Sequence, residues 1–361
     1  MSHPDRSDPG LLNKLLDKIR RYDGPPLTIM EVCGTHTVSI ARMGLSALLP
    51  KGVSLLSGPG CPVCVTPVDI FDEAIYLARE KDVIIATYGD AMRVPGSETS
   101  LLEVKAGGGE VYPVYSTTDA LDLSQKNKNR EVVFIGLGFE TTSPTVAHAL
   151  ITAKNLGVNN FSVLSAHKVL LPAMEALLLD PEVKIDAFLC PGHASMVLGW
   201  RCYEELAEKY GTPSVVAGFE PHEILLAINM LLAQAKEGAV RVENAYPKAV
   251  SEEGNTSALN LLERVFKKVD SKWRGLGMLP GSGYELSDEF ADYDARRRFL
   301  SGVKFDSSEP AGCSCADVLR GVIAPAQCPL FAKRCTPKDP VGACMVSSEG
   351  ACGAHYRYRE V

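Results

Sequence analysis

No apolar run in the 361 residues approaches the roughly 20 residues of a membrane span, and nothing in the sequence offsets a net charge of −7 with a basic tract. The first absence leaves no helical membrane anchor. The second argues against a general nucleic-acid binder, which carries a basic face. The opening segment 1–6 is polar and lacks the apolar core of a secretory signal, so a cytoplasmic protein is expected. A Gly-Lys-Ser/Thr phosphate loop is also missing. Gly136-Leu-Gly138 is too glycine-poor for a dinucleotide loop, which makes a nucleotide-binding enzyme the weakest reading.

Cysteine, by contrast, is abundant: there are 11. A reducing compartment disfavours a disulfide framework, so this number calls for another explanation. Cys33, Cys61, Cys190, Cys313, Cys328 and Cys352 sit directly beside Gly or Pro. Such neighbours suit loops that wrap a metal better than cores that hide a thiol. Hydrophobic residues at 46% and charged residues at 22% otherwise describe an ordinary globular chain, long enough for two or three domains.

Along the chain a short apolar run, a loop of unusual residues and an amphipathic helix follow one another repeatedly. After a first helix carrying Leu11, Leu12, Leu15, Leu16 and Ile19, strands are expected at 27–32, 53–57, 83–88, 131–137, 161–166, 185–189 and 213–217. The loops that follow them carry Cys33-Gly-Thr-His36, Cys61-Pro-Val-Cys64, Asp90, Gly138-Phe-Glu140, His167-Lys168, Pro191-Gly-His193 and Gly218-Phe-Glu220. Strands alternating with helices predict an α/β fold with parallel sheets, and ligands bind at the carboxyl ends of such strands. A polar stretch at 122–130 suggests two consecutive units. The expected division is 1–125, 126–240 and a loop-rich C-terminal region, 241–361, containing one helix at 256–269.

In that last region Cys328, Cys335, Cys344 and Cys352 are widely and irregularly spaced. Four converging thiolates can hold Zn²⁺ or a [4Fe–4S] cluster. Structural zinc usually takes ligands in close Cys-x₂₋₄-Cys pairs, which these four do not form, so the spacing favours a cluster. Either Cys313 or Cys315 could replace one of the four, or the two could form a separate thiol site. Cys61 and Cys64 have the spacing of a redox dithiol, with a helix starting just after them. Cys33 with His36 reads as a nucleophile pair or as two metal ligands, and a helix-start role for His36 is as natural. Glu140, Glu220 and His193 allow catalytic, capping or plain loop roles.

Five phrases in order carry a resemblance: Cys-Gly-Thr-His-Thr at 33–37, Gly-Pro-Gly-Cys-Pro-Val-Cys at 58–64, Gly-Phe-Glu-Thr-Thr at 138–142, Pro-Gly-His at 191–193 and Gly-Ala-Cys-Met-Val-Ser-Ser-Glu-Gly-Ala-Cys at 342–352. Together they resemble the HypD family of [NiFe]-hydrogenase maturation factors. The resemblance implies two Rossmann-like domains and a C-terminal iron–sulfur region with a [4Fe–4S] cluster on Cys328, Cys335, Cys344 and Cys352. It implies a redox-active scaffold on which a transient Fe(CN)₂CO unit is assembled. A small HypC-type chaperone would share the work and a HypE-type protein would donate the cyanide. By position, Cys33 would bind the iron, His36 would lie beside it, and Cys61 and Cys64 would be the redox pair. Two rival readings remain at this level: a cluster-dependent protein-disulfide reductase, which has no use for Cys33, and a zinc-stabilised binding module.

Overall fold

A computed structural model describes residues 9–358 apart from residue 81, so the polar segment 1–6 lies outside the described residues. Among the described residues no helix is long and apolar enough to cross a membrane.

Short β-branched and aliphatic runs form the strands β1 (Leu27–Glu31), β2 (Val53–Ser57), β3 (Val83–Thr87), β4 (Val111–Pro113), β5 (Glu131–Gly136), β6 (Phe161–Ser165), β7 (Ala187–Pro191), β8 (Ser214–Ala217) and β9 (Val242–Asn244). They pair in parallel throughout, as expected for an α/β chain with helices as crossovers. β3 is buried along its whole length, the signature of a strand covered on both faces.

The pairing differs from the two consecutive units that the polar stretch suggests. One sheet has the order β2-β1-β7-β8-β9 and the other β4-β3-β5-β6. β1 pairs with β7, Ile29 opposite Ala187, across the whole of the second sheet. The polar stretch is the end of the helix Thr117–Lys126 and the turn before β5, inside the second sheet. It marks a loop within a sheet, because polar turn residues precede a strand whether or not a sheet ends there.

Both sheets reverse strand order next to their first strand, between β1 and β7 and between β3 and β5. That is where an open parallel sheet forms a crevice outside its carboxyl ends. The first crevice lies beyond Glu31 and Pro191, hence at Cys33 and His193. The second lies beyond Thr87 and Gly136, hence at Asp90 and Glu140.

The C-terminal third is also more regular than expected. The helix Thr256–Val265 stops short of 269, and the alternating run after it forms β10 (Phe266–Trp273), antiparallel to β11 (Gly277–Leu286). Trp273 is buried and stacks on Phe139 at 5.9 Å, so this hairpin is fastened to the second sheet. The cysteine-rich end packs in one apolar cluster with Val83, Ile85, Val133 and the Cys61–Cys64 loop.

Glu140 closes the second crevice. Its Oε1 accepts the Leu170 N–H at 2.9 Å, while Oε2 is buried without a hydrogen-bond partner among the described residues. Burial pushes its carboxyl up to about 7, with the Leu170 bond opposing. A carboxyl raised in this way favours the native state fully below its unfolded value and loses that contribution as the pH rises through about 7. Glu140→Gln is therefore expected to gain stability on wild type between pH 5 and pH 8, by on the order of 3 kcal/mol. Urea unfolding of both proteins at the two pH values measures this. An equal difference at both would refute it. The interleaved pairing makes a second prediction. A 1–125 fragment has β1 without β7 and is expected to be unfolded by circular dichroism, where a self-contained unit would melt cooperatively.

Candidate functional site

The first crevice is built around Cys33. It is the N-cap of the helix Gly34–Met43, in extended conformation, with its thiol almost wholly buried. Its N–H donates to Glu31 Oε2 at 3.0 Å, and Glu31 Oε1 accepts the Thr37 hydroxyl at 2.5 Å. Glu31, two residues before Cys33 at the end of β1, thus ties both the Cys33 N–H and, through Thr37, the first turn of the helix. Burial pushes the Cys33 thiol up to about 12, with the Thr35 and His36 backbone N–H groups opposing, and pushes the Glu31 carboxyl up to about 8.

His36 is fully buried, and its Nε2 donates to the Gly218 carbonyl at 2.9 Å, across the crevice at the end of β8. Burial lowers its pKa to about 4, so the ring is neutral, and Nδ1 has no hydrogen-bond partner among the described residues. The helix-start role is therefore accompanied by a cross-strand one. Phe219 packs against His36 at 5.2 Å and is stacked by the exposed His193 at 3.9 Å. Glu220 is the N-cap residue of the helix Pro221–Glu237, where Glu223 Oε2 accepts the Phe219 and Glu220 N–H groups.

The second cysteine loop is folded directly onto the first. Gly58 N–H donates to the Glu31 carbonyl at 2.7 Å, and the Gly60 carbonyl accepts Gly34 N–H at 3.0 Å. A Cβ on Gly60 would lie 2.2 Å from the Cys33 nitrogen, so only glycine permits this approach. Cys61 and Cys64 are buried and joined as a disulfide, with Cα atoms 5.3 Å apart. Cys61 is the N-cap of the turn Pro62–Val65, and the helix Val68–Ala78 follows.

The C-terminal cysteines lie just beyond. The Cys64 sulfur is 3.9 Å from the carbonyl of Ala343, the residue before Cys344. Cys315, Cys328, Cys335, Cys344 and Cys352 are buried in one cluster, with Cys313 packed against it. The sulfurs of Cys315 and Cys344 touch at 2.6 Å. Hydrogen bonds from Cys313 and Cys344 hold the Cys315 thiol down, and donating to Cys315 holds Cys344 up. Cys335 accepts the Val341 N–H at 3.3 Å. Among the described residues no three His, Cys, Asp or Glu groups surround a single ion position. An all-thiol donor set of this size suits a multi-iron group whose corners take separate ligands.

Two carboxylates escape a reading of the sequence. Glu31 looks like an ordinary strand end. Glu349 accepts the Thr35 hydroxyl at 2.8 Å, and its Cβ would stand 2.5 Å from a Cβ on Gly34. The signal for Glu349 is its place in the phrase 342–352, between two cysteines. Cys190 and Cys202 stand apart: Cys190 lies in the core of the first sheet, and Cys202 donates to the Gly199 carbonyl at 3.1 Å.

The chain is similar to several curated proteins over most of its length. It is 45% identical over 349 residues to hydrogenase maturation factor HypD of Rhodobacter capsulatus, covering 96% of this chain and 93% of that one. To HypD of Escherichia coli it is 47% identical over 336 residues, 93% of this chain and 90% of the other. A putative hydrogenase expression/formation protein of Methanocaldococcus jannaschii is 43% identical over 358 residues, 98% of this chain and 99% of that one. The family model described as the hydrogenase formation hypA family, HypD, matches residues 10–359. With the strand-end cysteine loops and the C-terminal cysteine cluster in one seam, these likenesses identify the chain as a member of the HypD family of hydrogenase maturation factors.

Proposed function

We propose that the chain is a cytoplasmic, redox-active scaffold for an Fe(CN)₂CO unit bound through Cys33, and that a HypC-type chaperone and a HypE-type cyanide donor act on it there. One observation carries this reading. Cys33, the Cys61–Cys64 pair and Cys344 lie along a single path of direct contacts, Gly34 N–H to Gly60 O and then Cys64 Sγ to Ala343 O.

A thiol pushed up to about 12 is uncharged in the isolated chain, so iron must displace its proton in order to bind. The same high proton affinity favours release when the iron is handed on. Soft thiolate suits low-spin iron carrying π-acceptor ligands. Glu31, tied to the Cys33 N–H, and His36, neutral and tied to Gly218, hold the segment that presents the thiol.

Cys61 and Cys64 act as the two-electron store. Reduction breaks their bond, takes up two electrons and two protons, and leaves two thiols. The 2.6 Å contact between Cys315 and Cys344 supports a second such pair beside the first. Sulfurs in contact are poorly disposed to ligate separate corners of a cube. We therefore revise the ligand set read from the spacing: Cys313, Cys328, Cys335 and Cys352 would hold the [4Fe–4S] cluster, and Cys344 would not. The cluster, when bound, would supply electrons singly.

Two experiments test these assignments. In anaerobically purified protein, Cys315→Ser is expected to keep about four irons per chain, and Cys313→Ser to lose most of them. Loss from Cys344→Ser with iron kept in Cys313→Ser would restore the original set, and loss from Cys315→Ser would put Cys315 in the set instead. With the small chaperone and the cyanide donor co-produced, the infrared spectrum is expected to contain cyanide and carbonyl bands that Cys33→Ser abolishes without loss of cluster iron. Bands that survive Cys33→Ser would overturn the scaffold role, and wild-type protein that reduces protein disulfides but has no such bands under this co-production would favour the reductase.

A further inference from the structure

The turn between β10 and β11 is wedged between the two thiol pairs, and one buried charge sits in it. Arg274 is 4% exposed. Its backbone N–H donates to the Val65 carbonyl at 2.8 Å, and its Nε and Nη2 both donate to the Thr66 carbonyl, at 3.2 and 2.8 Å. Val65 and Thr66 directly follow Cys64. The remaining arm, Nη1, pairs with Glu309. Gly275 presses on the other side: with φ +85, a Cβ there would lie 2.8 Å from the carbonyl oxygen of Ala316, the residue after Cys315.

A buried guanidinium is a costly fastener. An apolar side chain of similar volume often holds a core as well, because taking a charge out of water offsets most of what its partners return. Here the countercharge is incomplete, since the Glu309 side chain is half exposed and partly screened by water. The positive charge is held at the Thr66 carbonyl, two residues past Cys64, one of the two sulfurs that share the negative charge on reduction. A neighbouring guanidinium favours thiolate over thiol, and a couple whose reduced form is stabilised becomes more oxidising.

We infer that Arg274 is a positioning residue for electron storage, which holds the Cys61–Cys64 turn against the Cys313–Cys315 loop and stabilises the reduced form of the Cys61–Cys64 pair. This rests on the reading of Cys61 and Cys64 as a reversible couple. In the reaction concerned, a dithiol reductant gives two electrons and two protons to the Cys61–Cys64 bond. It closes its own disulfide and leaves two thiols, of which one ionises.

The test equilibrates the cluster-loaded protein with mixtures of reduced and oxidised dithiothreitol, quenches by alkylation, and counts free Cys61 and Cys64 by peptide mass spectrometry. Arg274→Gln is expected to shift the equilibrium about tenfold toward the disulfide, which is about 30 mV for two electrons. Arg274→Lys keeps the charge and is expected to fall between Gln and wild type. Glu309→Gln removes the countercharge and is expected to move the equilibrium the opposite way, toward dithiol. A merely structural tie would move Arg274→Gln and Glu309→Gln in the same direction, because both break the same ion pair. That outcome, or wild-type equilibria in both variants at unchanged iron content, would overturn the inference alone. A wild-type pair that does not titrate reversibly at all would overturn the inference together with the reading beneath it.

Discussion

The site depends on one close approach, that of Gly60 to the backbone of Cys33. The hydrogen bond from Gly34 N–H to the Gly60 carbonyl contributes only about 1 kcal/mol net. Its geometric effect is larger. Because no side chain stands at 60, the end of β2 folds flat against the end of β1, and the disulfide loop becomes a wall of the Cys33 crevice. The carbonyl of Glu31 receives Gly58, its carboxylate receives Cys33 and Thr37, and the two loops share one strand end as their anchor.

Burial sets the charge state of the groups closest to Cys33. The thiol, the Glu31 carboxyl and the His36 ring are each driven toward the neutral form by burial, two upward and one downward. Ferrous iron with two cyanides and a carbonyl is likewise neutral, by simple sum of charges. On the proposed reading such a unit would enter without desolvating a bare charge of its own, and the thiolate formed on binding would be stabilised by the iron itself. The segment 342–352 closes the arrangement like a strap. It touches Cys64 through Ala343, donates the Ser348 N–H to Asp90 Oδ2 at 3.1 Å, and reaches Thr35 through Glu349.

Much of this was legible in the chain because its signals are local. Apolar runs ending in Gly-rich loops mark strand ends, and Cys61-Pro-Val-Cys64 fixes its own geometry through a three-residue separation. Strand pairing was not legible: Ile29 meets Ala187, and nothing in either run records that meeting, since parallel partners share no turn. The run after Val265 read as more helix because Phe266, Val269 and Trp273 also fit a helical spacing, and only pairing with β11 selects the strand. The contact between Cys315 and Cys344 was equally illegible, because spacing counts thiols along the chain and this contact is made across a fold. Glu31 carries no local mark, because its importance comes from whose hydrogens it receives, and Glu349 is marked only by its place between Cys344 and Cys352.

The interleaved sheets also set an order of events at the ribosome. Domains form as their residues emerge. The second sheet, from β3 to β6, can close while the first still lacks β7 and β8. The carbonyl that anchors His36 is at residue 218, and the carboxylate that meets Thr35 is at residue 349. The crevice at Cys33 is therefore among the first segments synthesised and the last to be finished. A nascent or truncated chain that stops short of residue 349 presents Cys33 without all of its crevice walls.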